Sequence, residues 1–178
     1  MVIGAPDRRT LLGAMLLGLL SVRAPAADVA VGDGRPVPDI PFGDGENRHR
    51  RLSDFAGRPV VLNLWATWCG PCRRELPALS EFAAALQPDG VAVIPVATDC
   101  RRAGTVRTFL DENKVYDLPV FTDPDGRVLS ILGVHGIPTT LLLDRDHRLL
   151  MTVVGELDWS DPQATGSVRK LLLRPASV

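Results

Sequence analysis

Residues 60–76, VVLNLWATWCGPCRREL, hold two of the chain's three cysteines, separated by a Gly-Pro pair. The apolar run that leads in, RPVVLNLWA (58–66), lacks the alternation of a half-exposed strand. It reads as a central strand covered on both faces. From 69 to 86 the apolar spacing becomes helical, through Leu76, Leu79, Phe82 and Leu86, and Pro71 suits the first turn. Cys69 therefore stands at a strand-to-helix junction, where free backbone N–H groups and the helix dipole favour an anion. That lowers the thiol pKa and raises the fraction of nucleophilic thiolate. Cys72 lies one turn deeper on the same face, within bonding reach. An exposed thiolate with a second thiol beside it is what disulfide exchange requires, one sulfur attacking and the other resolving.

Other uses of the pair fit poorly. A structural zinc site needs four ligands, and Cys100, His49, His135 and His147 form no second pair at ligand spacing. A structural staple gains from the length of the loop it closes, and Cys69–Cys72 closes almost none. At 178 residues and 46% hydrophobic, the chain suits one domain with a substantial core. A net charge of −1 offers no basic face for nucleic acid.

Ahead of the domain, Arg8 and Arg9 precede an apolar run over 11–22, and Ala24-Pro25-Ala26 supplies small residues for cleavage. Residues 1–26 read as an export signal or a retained N-terminal anchor. The Arg pair loosely resembles a twin-arginine signal and equally suits an ordinary positive n-region. The expected location is the periplasm, with a possible tether to the inner membrane. Residues 27–36 read as a Gly/Pro linker, and residues 37–178 as the domain.

Within the domain, IPFGDGENRHRRL (40–52) predicts an N-terminal β-hairpin about Gly43-Asp44-Gly45. GVAVIPVATD is a second buried strand, followed by a helix over 106–113 and a strand in LPVFTD. RVLSILGV is a short helix ending near Gly133. PTTLLLD and LLMTVVG form a pair of strands around 145–147, and a helix over 162–173 closes the chain. This alternation predicts an α/β layer fold with a parallel sheet centre and an antiparallel pair at its end.

The segment VVLNLWATWCGPCRRELPAL resembles the active-site region of thioredoxin-like proteins, specifically the exported TlpA/ResA/CcmG (DsbE) group of thiol–disulfide oxidoreductases. RLSDFAGRPVVLNLWATWC, FTDPDGRVLSILGVHGIPTTLLLDRDHRLL and VVGELDW resemble the group's other segments, over about 37–159. The resemblance implies a thioredoxin fold, a central mixed sheet flanked by helices, with an inserted helix-strand unit over about 101–121. It implies that Pro138 is cis and lies against the cysteines, exposing the Ile137 backbone to an incoming peptide. Cys69, Cys72, Glu75 and Pro138 are the expected catalytic set. Trp68, Gly70, Pro71, Ile137 and Thr139 are the expected substrate contacts. Thioredoxin has a buried Asp where this chain has Asn63, which exchanges no proton. Glu75 matches the group's glutamate and is placed either to take the proton of Cys72 or only to answer the helix dipole. Trp65 reads as core, His135 as loop packing and Cys100 as a structural free thiol.

Gly70-Pro71 is the pair found in thioredoxin, at the reducing end of the potential range. The implied activity is reduction of client disulfides, those of apocytochrome c or copper-site proteins. Electrons would come from a membrane thiol reductase of the CcdA/DsbD type. The expected protein is a monomer with no cofactor beyond the Cys69–Cys72 disulfide and no metal. Two other classes stay open. In a Cu(I)-binding chaperone the cysteines would be soft ligands, with His135 the third candidate. A thiol peroxidase would carry Pro-x-x-x-Thr-x-x-Cys, whereas Thr67 stands two residues before Cys69 with no Pro at the required distance.

Overall fold

The computed structural model describes residues 27–174, so the expected signal or anchor at 1–26 lies outside the described residues. Eight strands form one sheet in the order β1-β8-β7-β4-β5-β6-β2-β3. Its centre is β4 (Val60–Trp65), paired parallel with β5 (Ala92–Ala97) and antiparallel with β7 (Thr139–Leu143). The short β6 (Phe121–Thr122) extends the parallel part beyond β5, and β8 (Leu149–Val154) runs antiparallel to β7. This is the expected α/β thioredoxin-like architecture. Among the described residues, no helix is long and apolar enough to cross a membrane.

Every residue of β4 is buried, as the continuous apolar run predicts. Alternate side chains go to opposite faces. Val60, Leu62 and Leu64 join the core beneath the hairpin and α3, while Val61 and Trp65 join the core beneath α1, α2 and α4. The same alternation turns Asn63, between them, toward α1. That helix, Gly70–Leu86, buries Cys72, Glu75, Leu76, Leu79, Phe82, Ala83 and Leu86. The spacing is one apolar stripe at a period near 3.6, and Glu75 falls within it.

The hairpin of β2 (Pro41–Gly43) and β3 (His49–Arg51) forms as expected and docks on β6 at one sheet edge. The inserted unit is α2 (Ala103–Glu112) leading to β6. The short helix α3 (Val128–Leu132) stops at Gly133, whose φ of 67° is the left-handed cap that favours glycine. The closing helix α4 spans Pro162–Leu172.

One expectation needs correction. The segment read as a linker contains a strand: β1 (Asp28–Val31) pairs antiparallel with β8, and Pro36 bridges Arg148 farther on. Gly32 ends the strand where backbone meets backbone. Its N–H donates to the Leu150 carbonyl at 2.8 Å, and a Cβ there would fall 2.2 Å from the Leu149 oxygen. The glycine serves close approach rather than flexibility. All four residues of β1 are exposed, so no core holds the strand in place; the free edge of β8 does.

Candidate active site

Where β4 ends, the chain turns over Ala66–Trp68 into α1. Thr67 anchors that turn: its backbone N–H and its hydroxyl both donate to Asp99 Oδ2, at 3.1 and 2.6 Å. Cys69 is the N-cap of α1, with extended backbone, and its sulfur accepts from the Cys72 N–H at 3.2 Å. The sulfur thus occupies the anion position that the helix N-terminus provides. The two cysteines are joined by a disulfide with Cα atoms 5.3 Å apart.

Cys69 is 4% exposed and Cys72 not at all. The expected order of depth holds, but in the oxidised form even the outer sulfur is nearly covered. The Ile137 carbonyl lies 3.8 Å from Cys69 Sγ, and the Ile137–Pro138 bond is cis. Trp68, 72% exposed, stands on the rim with exposed Gly70 and Pro71. Thr139 differs from expectation in its side chain. It is buried, and its hydroxyl donates to the Gly136 carbonyl at 2.7 Å, so it shapes the proline loop from within. His135 is exposed on the same loop, and Trp65 is core, against the Phe109 ring.

Glu75 sits below the pair, 3% exposed. Asn63 Nδ2 donates to its Oε1 at 2.9 Å, and the Leu157 N–H donates to its Oε2 at 3.2 Å. Asn63 Nδ2 also donates to Thr140 Oγ1 at 3.0 Å. Burial drives the Glu75 carboxyl up to about 7. The donors from Asn63 and Leu157 and the nearby Trp159 indole pull it down, and the Glu156 charge adds a smaller push upward. The indole nitrogen itself makes no hydrogen bond of ordinary geometry. Arg74 turns outward and forms a forked ion pair with Glu156, its Nε 3.1 Å from both carboxylate oxygens. That pair holds the loop whose next residue, Leu157, reaches Glu75. Thr140, Leu157 and Trp159 escaped sequence reasoning. Only their place in a quoted family-like segment set them apart.

Cys100 is buried and free. Burial, together with Asp99, pushes its thiol up to about 11, which leaves it a poor nucleophile. Among the described residues, no group of three or more His, Cys, Asp or Glu is arranged to hold a metal ion.

Chemically, the site can accept and pass on a disulfide at Cys69, with Cys72 as the partner sulfur. It also holds a carboxyl one helical turn below Cys72 that can change charge near neutral pH.

Comparison with known proteins agrees with this chemistry. The AhpC/TSA family pattern matches residues 34–151. The thiol–disulfide oxidoreductase ResA of Geobacillus thermodenitrificans is 33% identical over 132 residues, 74% of this chain and 75% of that protein. A Chlorobium tepidum protein assigned as a thiol:disulfide interchange protein DsbE superposes with a TM-score of 0.64. It shares 31% identity, and the match covers 82% of this chain and 97% of that one. The exposed lipoprotein thioredoxin of Streptococcus pneumoniae superposes with a TM-score of 0.62 at 27% identity, over 75% of this chain and 98% of that one.

Proposed function

We propose, from the premise that the chain belongs to the AhpC/TSA family of thioredoxin-like proteins and is a thiol–disulfide oxidoreductase, that it works outside the cytoplasm as a reductant of client proteins. The observation that carries the mechanism is the stacking at the N-terminus of α1. An N-cap sulfur lies beside the carbonyl of the cis-proline loop, over a buried sulfur, with a buried carboxyl one turn deeper.

In the reduced protein, Cys69 is the thiolate that attacks a client disulfide. A Cys69–client bond forms, the client S–S bond breaks, and one client thiolate leaves. The client segment is held by backbone pairing at Ile137, beside Pro138, and by apolar contact with Trp68. Cys72 then gives its proton to Glu75 and attacks Cys69 Sγ. The Cys69–Cys72 bond forms and the second client thiolate departs. Two electrons have passed to the client, and no cofactor beyond the dithiol takes part.

Direction and place are supported by three features. The Gly70-Pro71 pair matches that of thioredoxin, whose potential is near −270 mV. Residues 8–26 have the form of an export signal or anchor. The pneumococcal relative is named an exposed lipoprotein. In an oxidising compartment such a reductant needs recharging, which suits a membrane thiol reductase of the CcdA/DsbD type. The clients that fit are apocytochrome c and copper-site proteins.

Equilibrating the purified domain with glutathione buffers tests the direction. A potential well below about −120 mV, the value of a strong disulfide oxidant, is expected. A value near that figure would reverse the direction and make the protein an oxidant of its clients.

A further inference from the structure

We propose that Asn63 is a positioning residue whose carboxamide rotates by half a turn as Glu75 gains or loses a proton, so that Glu75 keeps a hydrogen-bond partner in both states. The inference rests on the reading of Glu75 as the group that takes the Cys72 proton, and it adds the device that makes the transfer reversible in a dry site.

The carboxamide of Asn63 has polar neighbours on one arm only. Its Nδ2 donates to Glu75 Oε1 at 2.9 Å and to Thr140 Oγ1 at 3.0 Å. Its Oδ1, wholly buried, has no partner. A leucine would fill similar volume without a polar atom left bare, so the amide carries a standing cost that packing does not explain. What an amide provides and a leucine lacks is two ends of opposite hydrogen-bond character with nearly the same shape.

An ionised Glu75 only accepts, and the Nδ2 arm matches it. Once Oε1 carries a proton, a donor faces a donor and that bond is lost. Turning the carboxamide puts Oδ1 on the same arm, where it accepts from Glu75 Oε1–H. Thr140 can follow, because a hydroxyl donates as readily as it accepts. Both hydrogen bonds reverse without displacement of a backbone atom. The opposite arm has no polar partner in either orientation, so it does not choose between them. The proton on Glu75 does.

The charged and titratable groups around this carboxyl are few. Cys72 lies one turn above it on α1, and Glu156 is on the loop after β8, paired with Arg74. β4 and β7 contribute only Asn63 and Thr140, neither of which titrates. Burial of Glu75 places its titration near neutrality, where such reversal is useful.

Nuclear magnetic resonance on the intact oxidised protein reads the rotation directly. Above the Glu75 titration, the Asn63 side-chain NH2 protons should show cross-relaxation to the Thr140 side chain. Below it, those signals should vanish, with the same midpoint as the Glu75 carboxyl carbon. In Glu75→Gln the pattern should not change with pH. NH2 contacts that stay constant through the wild-type titration would overturn the proposal.

A second arm uses Asn63→Leu. Because the amide partners both states and only its bond to the carboxylate is charge-assisted, its loss should move the pH midpoint of disulfide exchange upward by no more than a few tenths of a unit, about a twofold change in rate on the limb. A fixed donor would serve the carboxylate alone, so a midpoint raised by about a unit or more in the folded variant overturns the proposal. Should Asn63→Leu not fold, the wild-type resonance experiment decides alone. Glu75→Gln with an unaltered exchange profile would instead defeat the reading of Glu75 as proton acceptor, whatever the Asn63 amide does.

Discussion

Two carboxylates, one shallowly covered in the hairpin turn and one deep beneath the cysteines, have opposite fates. Asp44 accepts from the backbone N–H groups of Glu46 and Arg48, each at 3.0 Å, and from Arg48 Nε at 2.8 Å. Desolvation pushes its carboxyl up, but the Arg48 side chain and the two N–H donors outweigh it and hold the group below its ordinary range. Glu75 has one amide donor and one backbone N–H, lies deeper, and desolvation prevails. Depth of burial and the supply of donors together set an acid's charge. The donors of Asp44 come from two and four residues along the chain, where a turn brings them automatically. Those of Glu75 come from 12 and 82 residues away. The acid satisfied locally is held below its ordinary range, and the one left short of donors by the tertiary fold is pushed up to about 7.

If that contrast reflects function, the largest effects belong to the cysteines above Glu75. Cys72→Ser should stall the reaction and accumulate a stable mixed disulfide between Cys69 and its client. Cys69→Ser should trap almost none, because the remaining sulfur is fully buried and out of reach of a client. Both should lower turnover by more than about a hundredfold, while Asp44→Asn should stay within about twofold of wild type. Non-reducing gels and mass spectrometry of the adducts read the outcome. Trapping by Cys69→Ser equal to that by Cys72→Ser would move the attacking role elsewhere.

The second effect is a pH slope. A carboxyl whose folded pKa is raised contributes stability that is complete below its unfolded value and is lost as pH rises through the folded one. For Glu75 that window runs from 4.5 to about 7. A displacement of that size corresponds to about 3 kcal/mol. Denaturant titrations of the oxidised protein should show stability falling across this range, and Glu75→Gln should be flatter by that amount. Asp44 has the opposite sign. Its lowered pKa stabilises above its ordinary value of 3.8, and that contribution disappears only as pH falls below it. Equal slopes in wild type and Glu75→Gln between pH 5 and 7 would break the comparison.

A smaller effect sharpens it from the other side. Asp44→Asn removes charge-assisted bonds that close the hairpin turn, and should cost about 1–2 kcal/mol at pH 7 without altering the pH profile of exchange. The smallest effect is expected at Cys100. Its buried, poorly ionised thiol should resist alkylation in the folded protein, and Cys100→Ser should leave exchange rate and potential nearly unchanged. A bridge from Cys100 to Cys69 or Cys72, seen by mass spectrometry, would overturn the two-cysteine mechanism.

Much of the fold was legible in local pattern. The apolar run of β4, the helical spacing of α1 and the turn residues of the hairpin each identify their element without a partner, because strand and helix periods are properties of the chain itself. Cys69 and Cys72 were legible for the same reason: a strand-to-helix junction carries its own N-terminal field. Asp28–Val31 was not legible, since an exposed edge strand exists only where a neighbour leaves hydrogen-bonding groups free. Nor was the burial of Thr139, whose side chain is committed to a loop that a single cis bond turns.

Sequence by itself determined the Cys69–Cys72 pair, its place at a helix N-terminus and the helix face on which Glu75 would lie. Only the tertiary structure decided what Glu75 meets there. Alternation along β4 aims Asn63 at it, and β7 brings Thr140 to the same amide arm. The loop after β8 supplies the N–H of Leu157. These partners are remote in sequence, and the charge of a buried acid depends on the donors and dielectric around it rather than on its neighbours along the chain.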